Sequence, residues 1–414
     1  MVKCGAEGAE LSLPELKVQV MRIIVKFLAS LVLILALAWV GLWWYAQGRL
    51  EAGLTTWMNQ MGANGTVQIS YDTLTRGTSP LSAKVELTNV RISVQSGPDA
   101  APVLVTLPSF GMHIDAANPM LLHFDNPSEI GINSARGQMA MTFGSITSFD
   151  RLVPKALFDS TVWPIDGGEL HASNINFLAS SGSLLILHVD DLAAATTTNN
   201  TAGPGQAGFS TSETIDGLAL SPILSKIASI PFNGRINQLA FNLSLSGPLP
   251  DFAVLQETLA ALPPGDARRK LAIQTVHDWA AQGGSGNAGL VLAIGPSTLK
   301  ADGTVKFDAN VQPSGTGNVS ADHLDAFTAG LVAAYPQIQD SLSNIQARLS
   351  PYLSTSAAGG QALNIHAAYG TGGVTLNGQK VSDMQPMNWD LLENPPAPPA
   401  QAPGDGSGAA ATRQ

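Results

Sequence analysis

Residues 23–45 read IIVKFLASLVLILALAWVGLWWY, an apolar run of 23 residues with one charge, Lys26, and no proline. As a helix rising about 1.5 Å per residue it measures roughly 34 Å, enough to cross a hydrocarbon core of about 30 Å. Thirteen of its residues are Leu, Ile, Val or Phe, and at about −0.3 to −0.6 kcal/mol each near a helix centre they favour insertion by several kcal/mol. Lys26 can snorkel to the headgroups. Everything after residue 45 is then expected on one face of a membrane.

Charge asymmetry orients the span. Lys17, Arg22 and Lys26 lie before it or at its start, whereas Arg49 and Glu51 cancel just after it. The positive-inside rule puts the N-terminus in the cytoplasm and the body outside, with a single pass. Trp39, Trp43, Trp44 and Tyr45 cluster at the outer end as an interfacial belt. Residues 1–22 read as a cytoplasmic tail, and the basic, export-like sequence from Met21 makes that residue an alternative start. A cleavable signal peptide is the rival reading, because Ala36 and Ala38 have small-x-small form. The apolar run nevertheless continues for seven positions beyond them, longer than such a signal requires. No cysteine follows the run, so a lipoprotein is not expected.

The composition points to strands and turns: 41 glycines and 26 prolines, with only 13% charged residues, about half the usual share. A net charge of −10 argues against nucleic acid and against a polybasic lipid-docking face. Cys4 is the sole cysteine, so no internal disulfide can form.

Past the span, residues 46–61 place Leu50, Leu54, Trp57, Met58 and Met61 at helical spacing, predicting a helix with one apolar stripe. Strands follow. In residues 84–95 the apolar positions are 85 and 87, then 90, 92 and 94; the phase slip at Thr88 and Asn89 predicts a bulge or bend. Residues 169–177 repeat the event, with Leu170 and Ala172 in one phase and Ile175 and Phe177 in the other. Residues 239–245 and 305–311 alternate in a single phase, as half-buried antiparallel strands do. Helices are expected over 148–160, over 251–262 with Asp251 as N-cap, over 267–282, and over 322–349, the last split by Pro336. Residues 193–208, AAATTTNNTAGPGQAG, read as a low-complexity loop. The expected organisation is a membrane span at 23–45, a β-rich body at 46–390 with possible halves at 46–192 and 209–390, and a disordered Pro/Ala/Gly tail at 391–414. The fold class is mainly β with helical insertions (α+β): a long antiparallel, curved or taco-like sheet after one transmembrane helix.

Motifs that carry chemistry are missing. There is no Gly-x-Ser-x-Gly elbow, no phosphate-binding loop, no dinucleotide fingerprint and no His-Glu-x-x-His. Histidines stand out beside carboxylates at His113 with Asp115, His188 with Asp190 and Asp191, His277 with Asp278, and His323 with Asp322 and Asp325. Such pairs can orient a base or a metal ligand, but alternating polar residues on a solvated face explain them as well. Asp322 and His323 read as a first helical turn capped by Ser320, and residues 166–169 as a turn. No catalytic, cofactor-binding or metal-ligating residue is assigned, and no enzyme activity or cofactor is expected.

Several short motifs recur after the span. Trp57, Tyr71 and Gly77 open the body. Later come Gly247, Pro248 and Leu249; Trp279 with Gly283 and Gly284; Gly295 and Pro296; Asp302 and Gly303; Asp308; and Gln312, Pro313, Ser314 and Gly315. Leu376, Asn377 and Gly378 close it. In these the chain resembles a family of membrane-anchored periplasmic proteins common in alphaproteobacteria, labelled as a domain of unknown function and grouped loosely with AsmA-like proteins. It departs from that family at Gly77, Thr78, Ser79 and Pro80, where an aromatic residue is the commoner pattern. The resemblance implies topology and location, and through AsmA-like proteins an apolar groove concerned with lipid and envelope integrity. The expected partners are the membrane and lipid, with a non-enzymatic scaffold of an envelope complex as the alternative. By their residue types the Gly-Pro pairs at 247–248 and 295–296 read as strand ends that start turns, and residues 312–315 as a hairpin or bend.

Overall fold

A computed structural model describes residues 13–62, 66–95, 100–154, 165–179, 182–250, 252–263, 265–356 and 359–395. These residues form nineteen strands of one antiparallel sheet, with helical insertions, after a long apolar N-terminal helix. The chain divides into two compact units, residues 1–191 and 192–414.

In the first unit, α1 (Leu13–Gly62) runs without a break. Its part from Lys26 to Gly62 is long and apolar enough to cross a membrane, and residues 26–42 are exposed throughout. From Gln47 onward one edge turns inward. Leu54 and Met58 pack into the unit's core with Val85, Leu87 and Val90, flanked by Leu50, Ile69 and Leu74. Trp57 and Met61, expected on the same stripe, are exposed. The buried edge follows an i, i+4 row, which the strands cover by themselves.

The strands β1 (Val67–Ser70) and β2 (Thr73–Arg76) both pair with β3 (Ser82–Val94), which pairs with β4 (Val103–Asp115). Then come β5 (Leu121–Asp125), β6 (Glu129–Ser134), β7 (Gly137–Thr142), β8 (Ser145–Leu152) and β9 (Ile165–Ala179). Both phase slips are present and have one cause. Asn89 (φ 49°) and Asn174 (φ 51°) adopt the left-handed conformation, which asparagine tolerates better than most residues. Each turns the side chains over and separates two partner strands: β1 from β2 along β3, and β7 from β8 along β9. Residues 148–152, expected as helix, belong to β8; residues 155–160 of that expectation lie outside the described residues. Residues 166–169 are strand within β9, not a turn.

The boundary between units falls inside β10 (Leu184–Thr198). The loop expected over residues 193–208 narrows to the turn at 199–206. The ends of the expected range are strand, in β10 and in β11 (Ala207–Leu220), where Thr197 and Ser210 share a hydroxyl–hydroxyl hydrogen bond at 2.5 Å. Thr-rich composition reads as low complexity but suits a pleated, hydroxyl-paired ladder.

The second unit is a meander. β11, β12 (Arg235–Ser246), β13 (Ser285–Ile294), β14 (Ser297–Phe307) and β15 (Pro313–Ala321) pair in sequence. β16 (Leu353–Thr355) and β15 both border β17 (Gln361–Gly370), followed by β18 (Gly373–Leu376) and β19 (Gln379–Ser382). The strand expected over 305–311 ends at Phe307, because Asp308 closes a turn: its Oδ1 accepts from the Asn310 and Gln312 amides. Six helices interrupt or follow the meander among the described residues: α2 (Pro222–Ile227), α3 (Phe252–Ala261), α4 (Asp266–Ala281), α5 (Leu324–Ala334), α6 (Gln339–Leu349) and α7 (Trp389–Glu393). Pro336 separates α5 from α6 as expected. Asp251, expected to cap α3, lies outside the described residues, as do residues 1–12 and most of the expected tail, 396–414; residues 391–393 are helical in α7.

Candidate functional site: an apolar trench on the second unit

The alternation of β12 puts Leu239, Phe241, Leu243 and Leu245 on one face. Register then extends each position into a row across the sheet. Leu243 is followed by Ala288, Gly303, Gly317 and Ala367, one residue from each successive strand. The neighbouring row is Phe241, Leu290, Ala301, Val319 and Ile365. On the other side lie Leu245, Gly286 and Val305, with Tyr369 beyond them opposite Gly315. Small residues thus make a floor between one ridge of larger apolar side chains and a second, broken at Gly286 and Gly315, in which Leu245, Val305 and Tyr369 stand up. The floor from Ala288 to Ala367 crosses three strand spacings, about 14 Å at roughly 4.8 Å each.

Two adjoining hollows of about 320 and 470 Å³ fill this trench, and both are lined by Ala288, Gly303, Gly317 and Ala367. Either is within the usual range for ligand sites, about 300–1,000 Å³. The lining is apolar except near Tyr369, whose hydroxyl donates to the Thr304 carbonyl at 3.4 Å; burial holds its pKa above the usual value.

The floor glycines are not demanded by the fold. A Cβ at Gly303 would come no closer than 3.6 Å to the Thr316 carbonyl, and one at Gly317 would be 3.6 Å from the Asp302 carbonyl. Both are ordinary contacts. Gly315 differs, since a Cβ there would collide with the Thr304 backbone carbonyl. A glycine inside a strand costs about 0.5–1 kcal/mol relative to alanine, so two unforced glycines side by side give up stability and leave the trench open.

The strands are braced at both ends. At one end Trp279 of α4 meets Phe307 edge-on, with ring centres 5.8 Å apart, and its Nε1 donates to the Ser246 carbonyl. Trp389 of α7 lies against Phe307 and donates to the Val311 carbonyl. At the other end the Ser297 hydroxyl donates to the His323 carbonyl and the Thr298 amide to Asp322. On alternate positions, the reverse face carries a polar ladder. Asn318 donates to Asp302 at 2.7 Å and contacts His366 at 2.7 Å, and the His366 amide donates to Asn377.

The family model described as an uncharacterized protein conserved in bacteria, DUF2125, matches residues 43–392. The chain belongs to the DUF2125 family. The match begins within the apolar run and takes in the β-rich body of this DUF2125 protein, trench included. No curated protein and no solved structure matches it.

No histidine of this DUF2125 chain lines either hollow. His113 contacts Asp125 at 3.1 Å and Asp115 at 3.7 Å, and stacks on His123. His188 bridges Asn176 and Asp190 at 2.8 and 3.0 Å. His277 packs on Trp389. His323 takes the left-handed position before α5, so Ser320, a β15 residue, is not the cap. Asp322 and Asp325 accept backbone amides from Thr298 and Gln361, which fastens loops to strands. Among the described residues no three His, Cys, Asp or Glu side chains gather as metal ligands. Of the floor residues, Gly303 is marked in the sequence by the family resemblance and Ala288, Gly317 and Ala367 are missed, whereas Phe241, Leu245 and Val305 are legible from strand alternation.

Proposed function

We propose that this protein is a single-pass membrane protein that binds an apolar chain, the acyl chain of a lipid, in the trench floored by Gly303 and Gly317. The observation that carries this reading is the pair of glycines that the backbone does not need, set between ridges of large apolar side chains. An acyl chain needs an elongated apolar channel and few polar contacts. The Tyr369 hydroxyl at one end offers a place for a polar head.

Anchoring is supported by α1, which passes through Ala36 and Ala38 without a break and enters the first unit's core at Leu54. The basic residues before the span favour a body outside the cytoplasm, and the family resemblance favours the inner membrane and the periplasm. The resemblance to AsmA-like proteins points to the same use of an apolar sheet face. The reading is of binding, without catalysis.

The test is photocrosslinking of the full chain in nanodiscs with a diazirine-bearing fatty acid, mapped by mass spectrometry. Crosslinks on β13, β14 and β15 support acyl binding. Crosslinks confined to α1 would reduce the trench to a bare surface and leave the scaffold reading in its place.

A further inference from the structure

The tip between β2 and β3 lies beside the outer end of the apolar run. Three side chains on one row of α1 hold it. The Trp39 indole Nε1 donates to the Pro80 carbonyl at 2.7 Å, the Trp43 Nε1 to the Ser82 carbonyl at 3.1 Å, and the Gln47 amide to the Gly77 carbonyl at 2.6 Å. Trp39 is six residues before Tyr45, so Pro80 sits about 9 Å deeper along the helix than the end of the apolar run.

The tip is built for that depth. From Gly77 to Ser82 it carries no charge. The nearest charges are neutralised, Arg76 by Glu51 and Lys84 by Asp125 and Glu86. The hydrocarbon core offers no partner to a free backbone polar group, so a tip at its boundary is favoured when the groups around its apolar residue are already taken. Here the Leu81 amide donates to the Ser79 hydroxyl and its carbonyl accepts from Ala116, while the Ser82 amide donates to the Ser79 carbonyl. Pro80 has no N–H to satisfy, and its carbonyl is taken by Trp39. Leu81, meanwhile, is 68% exposed, beside an apolar helix row whose Leu42 is also exposed.

We propose that the tip at Pro80 and Leu81 inserts into the outer leaflet of the bilayer that α1 spans, so that the first unit is seated in the membrane and not merely tethered to it. The occupant is lipid, at the boundary between headgroups and acyl chains, where indoles favour residence. This rests on the anchor reading above and is independent of the trench.

The experiment uses the full chain with Cys4→Ser, a single cysteine carrying an environment-sensitive dye, and liposomes containing shallow spin-labelled lipid. Three sites are compared: Leu81→Cys, Leu33→Cys within the span, and Val94→Cys at the far end of β3. Leu81 is exposed, so its replacement leaves the core intact. The proposal expects Leu81 to be quenched and blue-shifted, with Val94 unaffected. A Leu81 probe that behaves like Val94 while Leu33 reports lipid would overturn it. A Leu33 probe that reports water would bring down the anchor reading, and the inference with it.

Discussion

The Gln47 carboxamide donates to the Gly77 carbonyl at 2.6 Å from a position only 2% exposed. It is the first inward-facing side chain after the apolar run, and it ties α1 to the β2–β3 hairpin below the core. Gln47→Leu keeps the bulk but strands that carbonyl, at a cost of about 1–3 kcal/mol. Hydrogen exchange should rise over residues 73–88 in the variant; unchanged protection there would contradict this role.

Leu54 anchors the same helix one stage further on, 2% exposed against Val85, Leu87 and Val90. Leu54→Ala should cost about 2–5 kcal/mol through lost burial and the cavity left behind. Trp57, 46% exposed on the same helix, should change stability by no more than about 0.5 kcal/mol when replaced by alanine. Denaturant unfolding in detergent micelles compares the two. Equal effects would mean that the helix does not enter the core as described.

The phase slips around Asn89 and Asn174 were legible because face alternation is local: three or four residues on each side fix it, and asparagine at the break supplies the left-handed residue. The trench was not legible in the same way. Ala288, Gly303, Gly317 and Ala367 lie on four strands, and only the cross-strand register brings them into one row. Around the turn at 199–206 the strand ends 193–198 and 207–208 were hidden for the opposite reason, since their small polar composition describes an exposed loop and a hydroxyl-paired strand equally well. The split at Pro336 was readable because a missing N–H acts wherever it falls. Strand β8 over residues 148–152 was mistaken for helix because Phe149, Leu152 and Val153 fall at the i, i+3, i+4 spacing of a helix face.

Glycines within one strand pair should part company. Gly315→Ala drives a Cβ into the Thr304 backbone and should unfold or markedly weaken the second unit. Gly303→Ala meets only ordinary contacts and should be neutral or stabilise by up to about 1 kcal/mol. Thermal melts of both variants decide it, and a destabilising Gly303→Ala would mean that the fold requires that glycine after all.

Asp325 accepts the Gln361 amide at the start of β17, and that hydrogen bond, with others from its own helical turn, holds its pKa below the ordinary aspartate value. A lowered folded-state pKa contributes stability above the unfolded pKa, and the contribution is lost as pH falls through the lowered value. Asp325→Asn should therefore melt below the parent at neutral pH and converge with it in acid. A gap that widens on acidification would reverse the assignment.

The central claim is that the open floor at Gly303 and Gly317 holds an acyl chain. The double variant Gly303→Val/Gly317→Val fills the floor with residues that suit a strand. Crosslinking of the diazirine fatty acid should then disappear from β13, β14 and β15, while labelling of α1 and the thermal melt are retained. Undiminished crosslinking on those strands in a folded double variant would contradict the account.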